Sequence, residues 1–349
     1  MSRWSPTGGL ERGSQVNKWQ PGVLAHLAAA VAVAAAAAAA LAVASGGAAA
    51  QGYPSKPVRI VVPFGPGGVA DISARAVAQK MGESMGQQVI VENKPSAGGI
   101  LASETVAKAE PDGYTLLFLT NGNAVSESLF KSLPYSSVRD FAPVSTVGFF
   151  DFVLFVKGDS DVKSLGDLLA RMRANPGKLN IGTINPGSGQ HLSAELFKSM
   201  SGVDAQIITY KSTPEVITAV VSGQVQVGLD IVAPVLAQVK GGALRMIAVS
   251  SKQRSPILPE VPTVAESGVP GYESESWNGV AAPAKTPPAV IERLNKEVRA
   301  AVAAPDVKKR LQDLGIDARA GTPGELRERL VADIAKWRAV IEKANIPRQ

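Results

Sequence analysis

Two glycine-rich corners constrain this chain more than any other feature. The run 58–63 (VRIVVP) is rich in β-branched residues and empties into Gly65-Pro66-Gly67-Gly68. The segment 71–85 then has helical spacing, with Ile72, Ala76, Val77 and Met81 on one face. The same order returns later: a strand at 179–183 passes through Asn185-Pro186-Gly187-Ser188-Gly189 into a helix at 191–200. Pro66-Gly67-Gly68-Val69-Ala70-Asp71-Ile72-Ser73-Ala74 aligns without gaps on Pro186-Gly187-Ser188-Gly189-Gln190-His191-Leu192-Ser193-Ala194. A strand that ends in glycines and leads at once into a helix is the connection of a parallel βαβ unit.

The rest of the chain agrees with two such units. After the first corner, the pattern predicts a strand at 88–92, a helix at 100–109 and a strand at 115–119. A break falls at 134–143, followed by strands at 144–148 and 152–156 and a helix at 164–174. The second unit adds strand 206–210, helix 214–222, strand 224–230, helix 233–240 and strand 245–249. A Pro/Gly-rich loop at 255–271 and two long amphipathic helices at 288–303 and 323–344 close the chain. The expected fold is α/β: two similar Rossmann-like lobes with mostly parallel sheets, joined by crossing segments near 150 and 276.

With 349 residues, the chain has room for about two domains. The first fifty residues read as an export signal. Arg3, Arg12 and Lys18 stand against a single acid, Glu11, and an uncharged run from Leu27 to Ala44 leads into Ser45-Gly-Gly-Ala-Ala-Ala50. The expected cut follows Ala50 and leaves Gln51 first; a cut after Ala44 and an uncleaved membrane anchor are the alternatives. The basic region is long enough to leave room for a start downstream of Met1. Cysteine is absent, which removes disulfides, thiolate metal sites and Cys nucleophiles. An export signal on a chain without cysteine points to the bacterial periplasm. Histidine occurs only at His26 and His191, which argues against a multi-histidine metal centre. The net charge of +6 is scattered, without a basic stripe for nucleic acid.

Glycine corners at helix N-termini receive anions through backbone N–H groups alone. The corner at 65–70 offers only backbone, the one at 185–190 adds Asn185 and Ser188, and neither contains lysine or arginine. A small carboxylate fits that inventory. A competing reading is a dinucleotide loop, since 65–70 satisfies G-x-G-x-x-G/A and Glu92 stands where a ribose-binding acid belongs. Pro66 and the export signal argue against it. Asp71 is expected to cap its helix and shape the loop, and His191 holds the same register in the second unit. Without a G-x-S-x-G elbow, His191 reads as a capping or ligand-orienting residue. Tyr210-Lys211-Ser212-Thr213 and Asp230 end second-unit strands, and Asn121 and Asn123 end a first-unit strand, so these face the expected cleft. Neither paired catalytic carboxylates nor metal-ligand spacings are found.

These residues resemble the Bug-type receptors, the periplasmic substrate-binding proteins of tripartite tricarboxylate transporters. The likeness runs from Tyr53-Pro-Ser-Lys-Pro57 and Ile60-Val-Val-Pro-Phe-Gly-Pro-Gly-Gly68 with Asp71, through Val91-Glu-Asn-Lys94 and Pro111-Asp-Gly-Tyr-Thr115. It continues with Pro186-Gly-Ser-Gly189, His191-Leu192, Tyr210-Lys211, Ser222-Gly-Gln-Val225, Pro259-Glu-Val-Pro-Thr263 and Trp277 with Gly279. The resemblance implies a clamshell closing on a small organic acid, with residues 51–151 and 275–349 in one lobe and 152–274 in the other. It implies no reaction and no cofactor, a monomer, and a partner permease or sensor protein. Carried onto this chain, it assigns ligand binding to Phe64, Gly65, Pro66, Gly67, Gly68 and Asp71, and to Thr183, Asn185, Gly187, Ser188, Gly189 and His191. Tyr210 and Asp230 follow the same way; Asn121 is added from its strand-end position. The family carries glycine after Tyr-Lys, where this chain has Ser212 and Thr213. It also has smaller residues where this chain has Phe149, Phe150 and Phe152. These aromatics are expected as core or hinge packing; if they face the cleft, they favour a flatter or aromatic acid over citrate.

Overall fold

The computed structural model describes Met1 and residues 52–349. The expected basic start, apolar run and cleavage site lie outside the described residues. The order of elements is β1 (Val58–Val62), α1 (Val69–Met85), β2 (Val89–Asn93), α2 (Ile100–Ala107), β3 (Thr115–Thr120), α3 (Asn121–Leu129) and β4 (Phe141–Lys157). There follow α4 (Leu165–Ala174), β5 (Asn180–Ile184), α5 (Gly189–Ser201), β6 (Gln206–Tyr210), α6 (Thr213–Val221), β7 (Val227–Ile231), α7 (Val232–Lys240) and β8 (Leu244–Val249). The chain closes with β9 (Glu275–Pro283), α8 (Pro288–Ala303), α9 (Pro305–Asp313), β10 (Asp317–Ala318) and α10 (Pro323–Lys343). Among the described residues no helix is long and apolar enough to cross a membrane.

The strands run β2-β1-β3-β9-β4-β7-β5-β6, with β8 and β10 also paired to β4. β1 is parallel to β2 and β3, and β5 is parallel to β6 and β7. Each expected βαβαβ unit is thus present. Val58, Ile60, Val61 and Val62 are fully buried, because helices cover both faces of these strands. β9 is antiparallel to both β3 and β4.

The pattern predicts two strands at 144–148 and 152–156; the structure has one strand of 17 residues, β4. Register shifts at Pro143/Ser145 and Thr146/Gly148 bend it instead of ending it. Its first part pairs with β9 as far as Asp151↔Glu275, and its second part pairs with β7 and β8 from Phe152 onward. Core packing changes at the same place. One hydrophobic cluster joins Ile60, Phe118 and Val147 to α1 and α8, and another joins Leu117, Trp277 and Trp337 to α3 and α10. The remaining two join Leu154, Ile181 and Phe197, and Phe155, Val216 and Val235. The stretch 255–271 carries no helix or strand, as expected.

Candidate functional site

The first corner is held by one buried acid. Asp71 stands in the first turn of α1 and is 2% exposed. Its carboxylate accepts from the Gly67 N–H at 2.8 Å, from Asn93 Nδ2 at 2.8 Å and from Arg75 Nε at 3.0 Å. Burial alone would raise this carboxyl, but the bonds from Arg75, Gly67 and Asn93 outweigh it and hold the group below the usual carboxylate range. Asn93 Nδ2 also donates to the Phe64 carbonyl at 3.0 Å. Asp71 therefore faces into its own loop and shapes it, as expected, but the amide it holds is Gly67, outside the helix. Phe64, Pro66, Gly67 and Gly68 are exposed and Gly65 half-buried. Glu92, the acid of the dinucleotide alternative, is ion-paired to Arg59 at 2.9 Å and Lys94 at 3.4 Å.

The second corner repeats the first with different chemistry. The Gly187 N–H donates to Nδ1 of His191 at 3.2 Å, four residues on, as Gly67 does to Asp71. Gly67 and Gly187 both have φ +80°, a left-handed conformation that glycine adopts without strain. Because Nδ1 accepts, the imidazole carries its proton on Nε2, which faces Glu195 Oε1 at 3.8 Å. Burial lowers the His191 pKa and so keeps the ring neutral. Ser188 caps α5: its Oγ accepts from the His191 N–H at 3.1 Å and donates to the Ile184 carbonyl at 2.8 Å. Asn185, at φ +25°, donates its N–H to the Tyr210 carbonyl at 2.8 Å and its Nδ2 to the Lys211 carbonyl at 3.4 Å.

These contacts bring a subset of the expected residues together. A Cβ added to Gly189 would stand 3.3 Å from Phe152 Cζ and 3.8 Å from Asn121 Oδ1. One on Gly187 would meet Leu129 of α3. The second corner thus lies against the helix that follows β3. Since β1 and β3 are parallel neighbours, the first corner opens at that same sheet edge. Asn121 and Asn123 do not end a strand; they start α3. Asn121 Nδ2 is held at 3.1 Å by Asp333, which also accepts from Trp277 Nε1 at 2.7 Å and Arg329 Nε at 3.1 Å. Asn123 is consumed by a capping box with Thr120 and by Ser103.

Tyr210 is half-buried, and Lys211-Ser212-Thr213 is closed by Glu215, which accepts from the Lys211 N–H at 3.2 Å and Ser212 Oγ at 3.1 Å. Ser212 serves as the N-cap position of α6, so the loop keeps a helix start without the family's glycine. Asp230 is fully buried, and burial raises its carboxyl above the ordinary range against the Ile231 N–H, Gln190 and Thr213. Thr183 is fully buried as well, with no hydrogen-bond partner for its Oγ1 among the described residues. Phe152 is core; Phe150 packs on a first-half cluster, and Phe149 lies under Arg319, whose Cζ is 4.0 Å from the ring centre. Sequence reasoning missed Gln190, which donates to Asp230 at 3.2 Å. Its only signal is its place beside Gly189 in the repeated corner. It also missed the pairing of Asp151 with Glu275 where the shared strands change partners. Among the described residues no group of three or more histidines and acids could hold a metal ion.

The chain that carries this repeated corner is similar to known proteins over most of its length. Residues 73–346 match the family model described as the tripartite tricarboxylate transporter family receptor. The chain belongs to that family. It is a solute-binding receptor of the Bug type. A Pseudomonas sp. (strain P51) protein of the tcbD-tcbE intergenic region is 39% identical over 83% of this chain and 86% of its own. BugT of Bordetella pertussis is 34% identical over 84% of this chain and 91% of its own. Among solved structures, R. palustris Rpa4515 with adipate is 33% identical, with TM-score 0.73, covering 84% of this chain and 99% of its own. MatC from Rhodopseudomonas palustris with bound malate is 30% identical, with TM-score 0.68, covering 83% and 100%. This receptor therefore shares its fold across nearly all of the described residues with proteins that hold small dicarboxylates.

Proposed function

We propose that this receptor captures a small organic carboxylate between two lobes in the periplasm and delivers it to a membrane permease, or presents it to a sensor protein. Residues 51–151 with 275–349 form one lobe and 152–274 the other, and the protein acts as a monomer after its signal peptide is removed. The observation that carries the reading is the duplicated corner. Gly67 and Gly187 adopt the same backbone conformation and donate to the same relative position, Asp71 and His191. Each corner is held rigid from within, which leaves the remaining loop amides to an anion at a helix N-terminus. The proposed ligand contacts are Phe64, Gly65, Pro66, Gly67 and Gly68 in the first corner, and Thr183, Asn185, Gly187, Ser188 and Gly189 in the second. Asn121, Tyr210 and Asp230 border the second, while Asp71 and His191 shape the loops.

The bound adipate and malate of the similar structures support the ligand class. The change of strand partners between Asp151 and Phe152 supports the lobe boundary and a hinge there. A thermal-shift panel of mono-, di- and tricarboxylates, aromatic acids and amino acids tests the proposal, with NADPH alongside. A ligand at 100 times its Kd adds about 2.7 kcal/mol to stability, which is readily seen. A shift with one class of acid is the expected result. Silence from every acid, with a response to NADPH, would sink it.

A further inference from the structure

We infer that Asp230 makes this receptor selective for acids that carry a hydroxyl or ammonium donor beside the carboxylate, over unsubstituted acids of the same length. The inference rests on the carboxylate-receptor reading above and narrows its ligand class. Asp230 stands at the C-terminal end of β7 with no exposed surface. Its Oδ1 accepts from Gln190 Nε2 at 3.2 Å and from the Ile231 N–H at 2.8 Å. Its Oδ2 has no hydrogen-bond partner among the described residues.

Two things tie this free acceptor to the proposed ligand. Gln190 follows Gly189 directly, so the carboxyl is fastened to the same helical turn whose amides would hold the ligand carboxylate. The groups that favour its charged form are themselves neutral: the Ile231 amide, Gln190 and Thr213 at the start of α6. Burial raises this carboxyl, and in its charged form it repels a nearby anion strongly, because no cation is among its partners and the interior screens poorly. A hydroxyl or ammonium on the carbon next to the ligand carboxylate removes that conflict. It puts a donor between the two negative groups and gives Oδ2 the partner that a buried acceptor requires. An unsubstituted acid presents C–H at that position and leaves the oxygen unpaired.

Titration calorimetry on the whole protein tests this with three matched sets: propionate, lactate and alanine; succinate, malate and aspartate; glutarate, 2-hydroxyglutarate and glutamate. Within the set that binds, the hydroxy or amino acid is expected to bind about tenfold tighter or more, the factor of one charge-assisted hydrogen bond. Which of the two wins distinguishes a hydroxyl from an ammonium. Asp230→Asn keeps an oxygen for Gln190 but turns the free acceptor into a donor, and is expected to abolish or reverse the preference. If that variant does not fold, the comparison on the unaltered protein still decides. An unsubstituted acid that binds as tightly as both its substituted partners overturns the selectivity and leaves the receptor reading standing. No binding in any set overturns the selectivity, and the thermal-shift panel then decides the receptor reading separately.

Discussion

Asp71 holds its corner as an anion, and His191 holds the equivalent corner as a neutral base. Acid undoes both. The Asp71 pKa is depressed in the folded chain, so its contribution is present above the unfolded value and is lost as pH falls through the folded one. The His191 pKa is also lowered, so the unfolded chain takes up that proton first and stability declines as pH drops below about 6.5. Replacing Asp71 by Ala removes the acceptor for Gly67, Asn93 and Arg75 together. It is expected to cost about 2–3 kcal/mol in urea unfolding and to weaken carboxylate binding, whereas an unchanged affinity would separate the loop from the site. Glu275 works in the opposite direction. Burial, offset by Arg329 and Arg319 but reinforced by Asp151 and Glu273, pushes its carboxyl from 4.5 up to about 7. The folded chain therefore binds this proton more tightly, and stability falls as pH rises from about 4.5 to 7. Glu275→Gln should remove that decline, worth about 3 kcal/mol. Melting of both proteins at pH 5 and pH 8 checks it: the variant's relative stability is higher at pH 8, and parallel curves would refute the effect.

At the scale of single elements, stability is placed at helix ends that the sequence announces. Thr322 accepts from the Glu325 N–H at 3.2 Å, and the Glu325 carboxylate accepts in return from the Thr322 N–H at 2.7 Å, closing a capping box on α10. Thr322→Ala is expected to cost about 1 kcal/mol in urea unfolding and to leave ligand affinity unchanged. The same kind of signal explains which elements were legible. β1, β5 and β6 are short β-branched runs bounded by Gly, Pro or Asp, and α8 and α10 have clean apolar stripes. Helix α3 was not legible: Asn121 and Asn123 read as the end of a strand, and the helix forms because Thr120 and Asn123 cap it and because α10 packs on it. Likewise β4 reads as two strands, since nothing in Val147-Gly148-Phe149-Phe150-Asp151 says that one chain will serve two sets of partners. The correspondence of Asp71 with His191 could be read by aligning the corners. The bond from Gln190 to Asp230 could not, because it joins residues 40 apart through a sheet order that no local pattern encodes.

For the molecule as a whole, β4 and β9 are the only strands among the described residues that connect the set β2-β1-β3 with the set β7-β5-β6. The buried Asp333, reached by Asn121, Trp277 and Arg329, fastens α10, α3 and β9 around that junction. Four hydrophobic clusters share strands in this way, so none of them has a sheet of its own. If the two proposed lobes rock on a hinge, they do so about a central strand, β4, that is paired on both sides of its change of partners and not about a flexible tether. Cooperativity follows from that. Native-state hydrogen exchange in low denaturant should show amides of 141–149 and of 152–157 opening with the same free energy and the same denaturant dependence. A separate, lower-energy opening of either stretch would count against a single unit. It also follows that neither half can be excised cleanly, because a cut made anywhere along β4 leaves one fragment with a raw sheet edge, inviting aggregation.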